Sequence, residues 1–384
     1  MVGLGGMGSA AACHLARRGR RVLGLERFTP GHDRGSSHGG SRIIRLAYFE
    51  GPGYVPLLLE AYDRWRALEH DAGAELLIRT GGVLLGPPGS ELVERSRATA
   101  EHCDVAHVML DAAGIRRRLP TLAPDDDTVG LFDPAAGVVR AEPTVAAGLR
   151  LAAAAGADLR FGERVTGWEA DPSGEGVVVR TAGAAFAARH LVVCGGVWAP
   201  ELLPDLRLPL TVERQVHTWF RPAGGLAAFL PDRHPVWVWD RRGAGDPDSF
   251  PGFIYGVPAI DGADEGVKIN VMREAVCTPE TIDRTVSAEE STAIAAEVRR
   301  CLTVDPGPVV RAEPCMFENT PDNHFVVGVH PGHRQVTVAA GFSGHGFKFV
   351  PVIGEILADL VCHGKTAHPL ALFDPGRFAA GAPA

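Results

Sequence analysis

The chain has 384 residues, 46% hydrophobic and 22% charged, which suits a folded protein of about two domains and excludes a disordered or fibrous chain. A formal net charge of -8 excludes a broad nucleic-acid footprint, so any anion site must come from locally placed Arg or Lys. No apolar run reaches the ~20 residues that span a bilayer, and seven scattered cysteines form neither a disulfide framework nor a metal-ligand spacing. No nucleic acid, membrane or metal partner is expected. The expected compartment is the cytoplasm: the glycine-rich N-terminal segment lacks a basic start, and residues 381–384 spell no peroxisomal or ER address.

Gly3, Gly5 and Gly8 spell G-x-G-x-x-G ahead of an alanine-rich helix over residues 10–18, which Gly19 ends. In such a turn the first two glycines bring backbone close to a pyrophosphate. The third lets helix and strand pack closely, and the helix N-terminus favours negative charge. The apolar run 21–25 reads as the next parallel strand, with Glu26 at its tip to accept from ribose hydroxyls. The same residues could form a mere helix-entry turn; helix and acid together favour a dinucleotide site. Only Met1 and Val2 precede Gly3, so most of the first strand, normally central in the sheet, is missing. Either the start lies upstream or the fold tolerates a stub; an upstream apolar extension is expected to stabilise the protein.

Residues 30–41, rich in Gly, Ser and His, read as a loop, and 55–69 as a helix carrying Leu57, Leu58, Tyr62, Trp65 and Leu68 to a core. The middle reads as α+β: a helix over 145–155, strands over 177–180 and 191–194, and a strand pair, 236–239 and 253–255, around a turn-rich loop at 241–251. Ser287 and Glu290 make a capping box for a helix to about residue 302. Strands over 325–329 and 335–339 precede a glycine turn at 341–346 and a helix over 350–362 that Gly364 terminates.

Arg42 and Arg45 stand three apart around Ile43 and Ile44, just after the glycine-rich loop. Two guanidinium groups so placed suit carboxylate or flavin oxygens, or else surface ion pairs. Lys348 lies between Phe347 and Phe349, where an unpaired buried ammonium is costly; the alternative is a lysine snorkelling at a helix start. Cys315 falls among polar residues that read as a loop just before a strand, and by itself could be inert.

Three segments carry a resemblance: Gly35-Ser36-Ser37-His38-Gly39-Gly40-Ser41-Arg42-Ile43-Ile44-Arg45, the run from Cys315-Met316-Phe317 to His324-Phe325, and Gly341-Phe342-Ser343-Gly344-His345-Gly346-Phe347-Lys348-Phe349. Together they resemble the monomeric sarcosine oxidase family, with N-methyltryptophan and pipecolate oxidases, among the D-amino-acid-oxidase-like flavoproteins. The resemblance implies an α/β plus α+β fold, a Rossmann-like FAD-binding domain (1–82, 140–212 and 315–384) interleaved with an antiparallel-sheet substrate domain (83–139 and 213–314). It implies FAD bound covalently through the Cys315 sulfur, a small amino-acid substrate, oxygen as acceptor and a monomer. Arg45 and Lys348 would then hold the substrate carboxylate, with Arg42 nearer the flavin and Tyr255 and His345 lining the pocket. Lys268, in Gly266-Val267-Lys268-Ile269-Asn270, would lie near flavin N5 and favour oxygen reduction; the alternative is an exposed strand lysine. Ser37, Ser41 and Gly344 would touch the cofactor, and Val165 would meet the adenine at the end of a strand.

Two departures bear on the substrate. Sarcosine-specific members of the family carry a tyrosine where this chain has Phe317 and a histidine where it has Met272. Both changes make the inferred pocket more apolar, so a bulkier N-methyl amino acid or a cyclic imino acid is expected rather than sarcosine. A flavin dehydrogenase of the same fold and an NAD-dependent reductase are the alternatives; Lys268 argues against the first and Cys315 against the second.

Overall fold

The computed structural model describes residues 1–241, 252–262, 265–273 and 275–378. The turn-rich loop expected over 241–251 lies outside them apart from Arg241 and so does the tail 381–384.

Helix Gly6–Arg17 begins four residues before the alanine run, because the second half of the glycine turn is its first helical turn. It packs between helices Ala141–Ala154 and Val350–His363. Behind it stands a sheet in two parts. Leu23–Glu26 pairs in parallel with Asp158–Phe161. Leu191–Val193 pairs in parallel with His333–Ala340, and Val326–His330 returns antiparallel. Val2 joins the halves, bridging Leu25 on one side and Val193 on the other. Its N–H donates to Val192 O, and the Gly3 N–H donates to Leu25 O, each at 2.9 Å. A stub therefore fills the central strand position and aims the glycine turn out of the sheet's carboxyl edge, where ligands bind in open α/β folds.

The second large sheet follows the order Val276–Cys277, Thr211–Phe220, Val267–Val271, Phe253–Val257, Val236–Asp240, Gly82–Gly86, Val129–Asp133, Val108–Leu110. Its pairs are antiparallel except Val236–Asp240 with Gly82–Gly86. Strand Val309–Asn319 pairs along Thr211–Phe220, from Thr211 opposite Asn319 to Phe220 opposite Val309. Cys315 sits inside this strand opposite Gln215, so the loop expected around it is corrected. Of its polar neighbours, Glu313, Glu318 and Asn319 are strand residues paired with His217, Val212 and Thr211, while residues 320–324 lie beyond the strand. Val165 likewise begins the strand Val165–Ala170 rather than ending one.

The other predicted elements form within a few residues of expectation. Ser287 Oγ accepts from the Glu290 N–H at 3.1 Å, capping helix Ala288–Cys301. Gly364, in the left-handed region at φ 69°, ends Val350–His363. Among the described residues no helix is long and apolar enough to cross a membrane.

Candidate active site

The glycine turn opens onto a cleft of about 180 Å³ lined by Gly3, Gly5, Glu26, Ser37, Arg42, Val165 and Gly344 of the expected cofactor residues. Two of the three glycines answer to the protein itself. A Cβ on Gly3, at φ +85°, would stand 2.2 Å from Cys194 O, and one on Gly8 would stand 1.9 Å from Gly3 O. A Cβ on Gly5 would meet only Ser37 Oγ, at 3.4 Å, so its demand for glycine points into the cleft. Gly8, Ser41 and Cys315 do not line the cleft.

Glu26 Oε2 accepts from the Leu4 N–H at 2.8 Å and Oε1 from the Phe28 N–H at 3.0 Å. Burial raises its carboxyl, but hydrogen bonds from His32 and the Leu4 and Phe28 N–H groups outweigh that and hold it below the usual range. An ionised acceptor at the tip of that strand suits a ribose.

Ser41 and Arg42 lie on strand Ser41–Ile44. The Arg42 guanidinium staples the preceding loop, donating to Ser36 O, His38 O and Ser41 O at 2.6–2.9 Å. Its Nη2 also lies 3.9 Å from Cys315 Sγ. Cys315 is fully buried. Burial alone would raise its thiol, but His38, Arg42 and Lys268 bring it down to about 7. Burial alone would likewise lower His38; Cys315 and Glu313 lift it to about 9. Above about pH 7 the pair is therefore a thiolate beside an imidazolium, the form in which a cysteine is nucleophilic.

Lys268 is buried on Val267–Val271, and its Nζ donates to Gly39 O at 2.6 Å and Ser41 O at 3.1 Å. It is not the exposed strand lysine, and it lines neither cavity. Burial and Arg42 push its ammonium well down, while Cys315, Glu142 and Glu313 oppose them. Its hydrogen bonds to Gly39 and Ser41 bring it into the same locality as Cys315 and Arg42, both of which act on its charge.

A second cavity, of about 500 Å³, is lined by Arg45, Tyr255, His345 and Lys348 and shares Arg42, Phe317, Gly344 and Phe347 with the cleft. Lys348 is buried just before helix Val350–His363; its Nζ donates to His345 O at 2.7 Å and Tyr48 Oη at 3.2 Å. Burial and Arg45 push its ammonium down to about 7 against the pull of Glu50. His345 Nδ1 lies 2.7 Å from Tyr48 Oη, and burial takes the ring down to about 4, so it is neutral.

Sequence reasoning missed four groups here. Glu50 holds Arg45, Tyr48 ties His345 to Lys348, and His38 sits beside Cys315. Glu142 accepts from the N–H groups of Gly39 and Gly40 at 2.6–3.1 Å. Three of the four lie in or just after the quoted Gly35–Arg45 run. Glu142 lies 103 residues from its partner and had no local signal.

A dinucleotide cleft that opens onto a cation-lined cavity defines a flavin-dependent oxidoreductase, and the chain belongs to the FAD dependent oxidoreductase family (DAO), whose model matches residues 1–360. Within that family it is 53% identical to a monomeric sarcosine oxidase of Streptomyces avermitilis, over 99% of this chain and 97% of the relative. It is 32% identical to an N-methyl-L-tryptophan oxidase of Escherichia coli, over 98% of each. Among solved structures, NikD, an unusual amino acid oxidase essential for nikkomycin biosynthesis, superposes with a TM-score of 0.84 at 28% identity, over 97% of this chain and 96% of NikD. A glycine oxidase from Geobacillus kaustophilus shares the fold, with a TM-score of 0.80 at 24% identity over 99% and 98%. The family sets aside the NAD-dependent reading, and the sequence resemblance is borne out.

Proposed function

We propose that the protein oxidises a secondary amino acid, an N-methyl or cyclic imino acid, to an imine, with FAD attached through Cys315 and oxygen as electron acceptor. One observation carries this reading: two buried cations, Arg45 and Lys348, line a cavity that shares a wall with the dinucleotide cleft. The cleft fits the cofactor in its unblocked Gly5, its ionised Glu26 and Arg42, whose guanidinium reaches from the wall to 3.9 Å from Cys315 Sγ. Held by the glycine turn, Glu26 and Arg42, FAD would supply the two-electron acceptor for the substrate, with oxygen as the final acceptor and hydrogen peroxide as its product.

The chain's own residues supply position and charge. Arg45 and Lys348 anchor the carboxylate, which fixes the α-carbon toward the shared wall, a proximity effect. Neutral His345 and Tyr48 keep the Lys348 ammonium oriented without competing for the anion. Ile43, Phe253, Tyr255, Met272, Phe317 and Phe347 make part of the remaining walls apolar, while Glu213, Gln215, Arg273, Asn319 and Asp322 line the rest. That lining, and a volume within the range of about 300–1,000 Å³ usual for small-molecule sites, favour a substrate larger than sarcosine. The names of the relatives, one for sarcosine and one for N-methyl-L-tryptophan, bracket the size range. His38 holds the proton that Cys315 gives up. We assign residues 1–82, 140–212 and 315–384 to the cofactor and 83–139 and 213–314 to the substrate, in a monomeric cytoplasmic enzyme.

A peroxide assay over a panel of N-methyl and cyclic amino acids tests the proposal; turnover of none of them overturns it. A dehydrogenase with a carrier acceptor is the second reading, favoured by the position of Lys268 away from both cavities. Lys268→Met decides between them. A fall of tenfold or more in the rate of reoxidation by oxygen, with substrate reduction unchanged, supports the oxidase. An unchanged reoxidation rate supports the dehydrogenase.

A further inference from the structure

Glu318 stands three residues beyond Cys315 on strand Val309–Asn319 and lines the dinucleotide cleft with Met316, Ala339 and Phe342. It is 5% exposed. Its Oε1 receives one long hydrogen bond, 3.5 Å, from the Phe342 N–H. Its Oε2 is buried and has no partner among the described residues. Two other carboxylates that line the cavities are satisfied, Glu26 by two N–H groups and Glu50 by Arg45. A buried carboxylate oxygen without a partner is costly, so a partner is missing.

That partner is not a cation of the protein. The groups acting on Glu318 are the N–H groups of Phe342 and Gly341. Of the other groups lining the cleft, the Cys194 thiol feels the charge of Glu318 and is itself pushed up to about 12 by burial, so it is uncharged. Beyond Cys194 lies the Met1 amine, which burial takes down to about 6. Against these weak partners burial lifts the Glu318 carboxyl to about 7. Cys194, Gly195, Phe342 and Gly344 line the cleft with it, and Cys194 O stands against Gly3 of the glycine turn, where the phosphates would be received. An ionised carboxylate would repel them. A carboxylic acid has a proton to donate.

We propose that Glu318 is a cofactor-holding acid, a protonated carboxyl whose Oε2 donates a hydrogen bond to an oxygen of the ribityl–pyrophosphate chain of FAD. This rests only on the family's cofactor, not on the substrate or on the covalent link. Binding then favours the protonated form and raises the carboxyl further. Affinity for FAD is full below about pH 7 and falls as pH rises, by up to about tenfold per unit.

The test uses holoenzyme first. Infrared difference spectra of wild type and Glu318→Gln at about pH 8 should show a protonated-carboxyl carbonyl band that only the variant lacks. The second measurement is FAD affinity by flavin fluorescence in a Cys315→Ala background, or in the unmodified protein if its flavin exchanges. Between about pH 6 and pH 9, Glu318 protein should weaken at least tenfold, while Glu318→Gln, whose amide still donates, keeps its affinity and flattens the profile. A missing band, or the same pH profile in both proteins, overturns the proposal. Neither outcome depends on turnover, so failure here is separate from failure of the oxidase reading.

Discussion

Glu50 grips Arg45 with both carboxylate oxygens, at 3.0 and 2.8 Å from Nη2, inside the cavity where a substrate carboxylate would be received. The same Glu50 lies 3.9 Å from His345 and pulls Lys348 toward its charged form. It occupies the electrostatic place of a ligand. A substrate anion must therefore displace Glu50 or share Arg45 with it, and either costs affinity. Glu50→Gln should tighten the binding of a simple carboxylic acid by roughly tenfold, about 1.4 kcal/mol. It should also lower the melting temperature of the free protein, because a buried guanidinium loses its partner. Titration by flavin absorbance checks the first effect; unchanged or weaker binding would remove Arg45 from the anion site.

With Lys348 as an anchor of the carboxylate, as proposed, the anion would be held over a limited pH range. The Lys348 ammonium is brought down to about 7 by burial and Arg45, and a bound carboxylate favours the protonated form. Affinity is therefore full below about 7 and lost as pH rises through that value, about tenfold per unit until the lysine's contribution is gone. The probe must be an amine-free acid, since a substrate's own ammonium titrates in the opposite sense. In Lys348→Met the affinity should be lower and level with pH. A wild-type dissociation constant that stays level to about pH 9 would place Lys348 outside the anion site.

Cys315 makes two related claims testable. Acid precipitation of the holoprotein should leave yellow colour in the pellet, and Cys315→Ala should release it to the supernatant. The thiol at about 7, against an ordinary value of 9.0, is a thiolate above neutrality. Attachment of FAD to the apoprotein should thus accelerate up to about pH 7 and then level off. Continued acceleration toward pH 9 would mean that His38 and Arg42 do not hold the sulfur as an anion.

The cofactor side of the fold was legible because its signals are local: glycines at fixed offsets, an apolar run ending in Glu26, a capped final helix. The long strands Thr211–Phe220 and Val309–Asn319 were not, because they bury polar residues such as Gln215, His217 and Thr218 and show no period-two alternation. A strand without that alternation reads as a loop, which is why the expectation for Cys315 differs from its place opposite Gln215. The cations of the site were readable as residues that needed partners, whereas the carboxylates that answer them were not. Glu142 meets Gly39 from 103 residues away. Glu50 is only five residues from Arg45, and a buried arginine with an acid so near was a signal available in the sequence.

The glycine turn separates what the fold needs from what the cofactor needs. A methyl on Gly8 would drive into Gly3 O at 1.9 Å, and backbone cannot yield there without opening the helix from the sheet. Gly8→Ala should destabilise the apoprotein severely, by roughly 3 kcal/mol or more, as overpacking of a core contact does. Gly5 has φ -69°, a conformation open to any residue, and its added methyl meets only the Ser37 hydroxyl at 3.4 Å. Gly5→Ala should leave the apoprotein within about 1 kcal/mol of wild type. Its methyl would instead stand where the backbone must approach the pyrophosphate, so FAD uptake should fall by a factor of ten or more. Thermal melts of apoprotein and flavin titrations separate the two effects. If Gly5→Ala bound FAD normally, the cleft would not receive the phosphates at this turn.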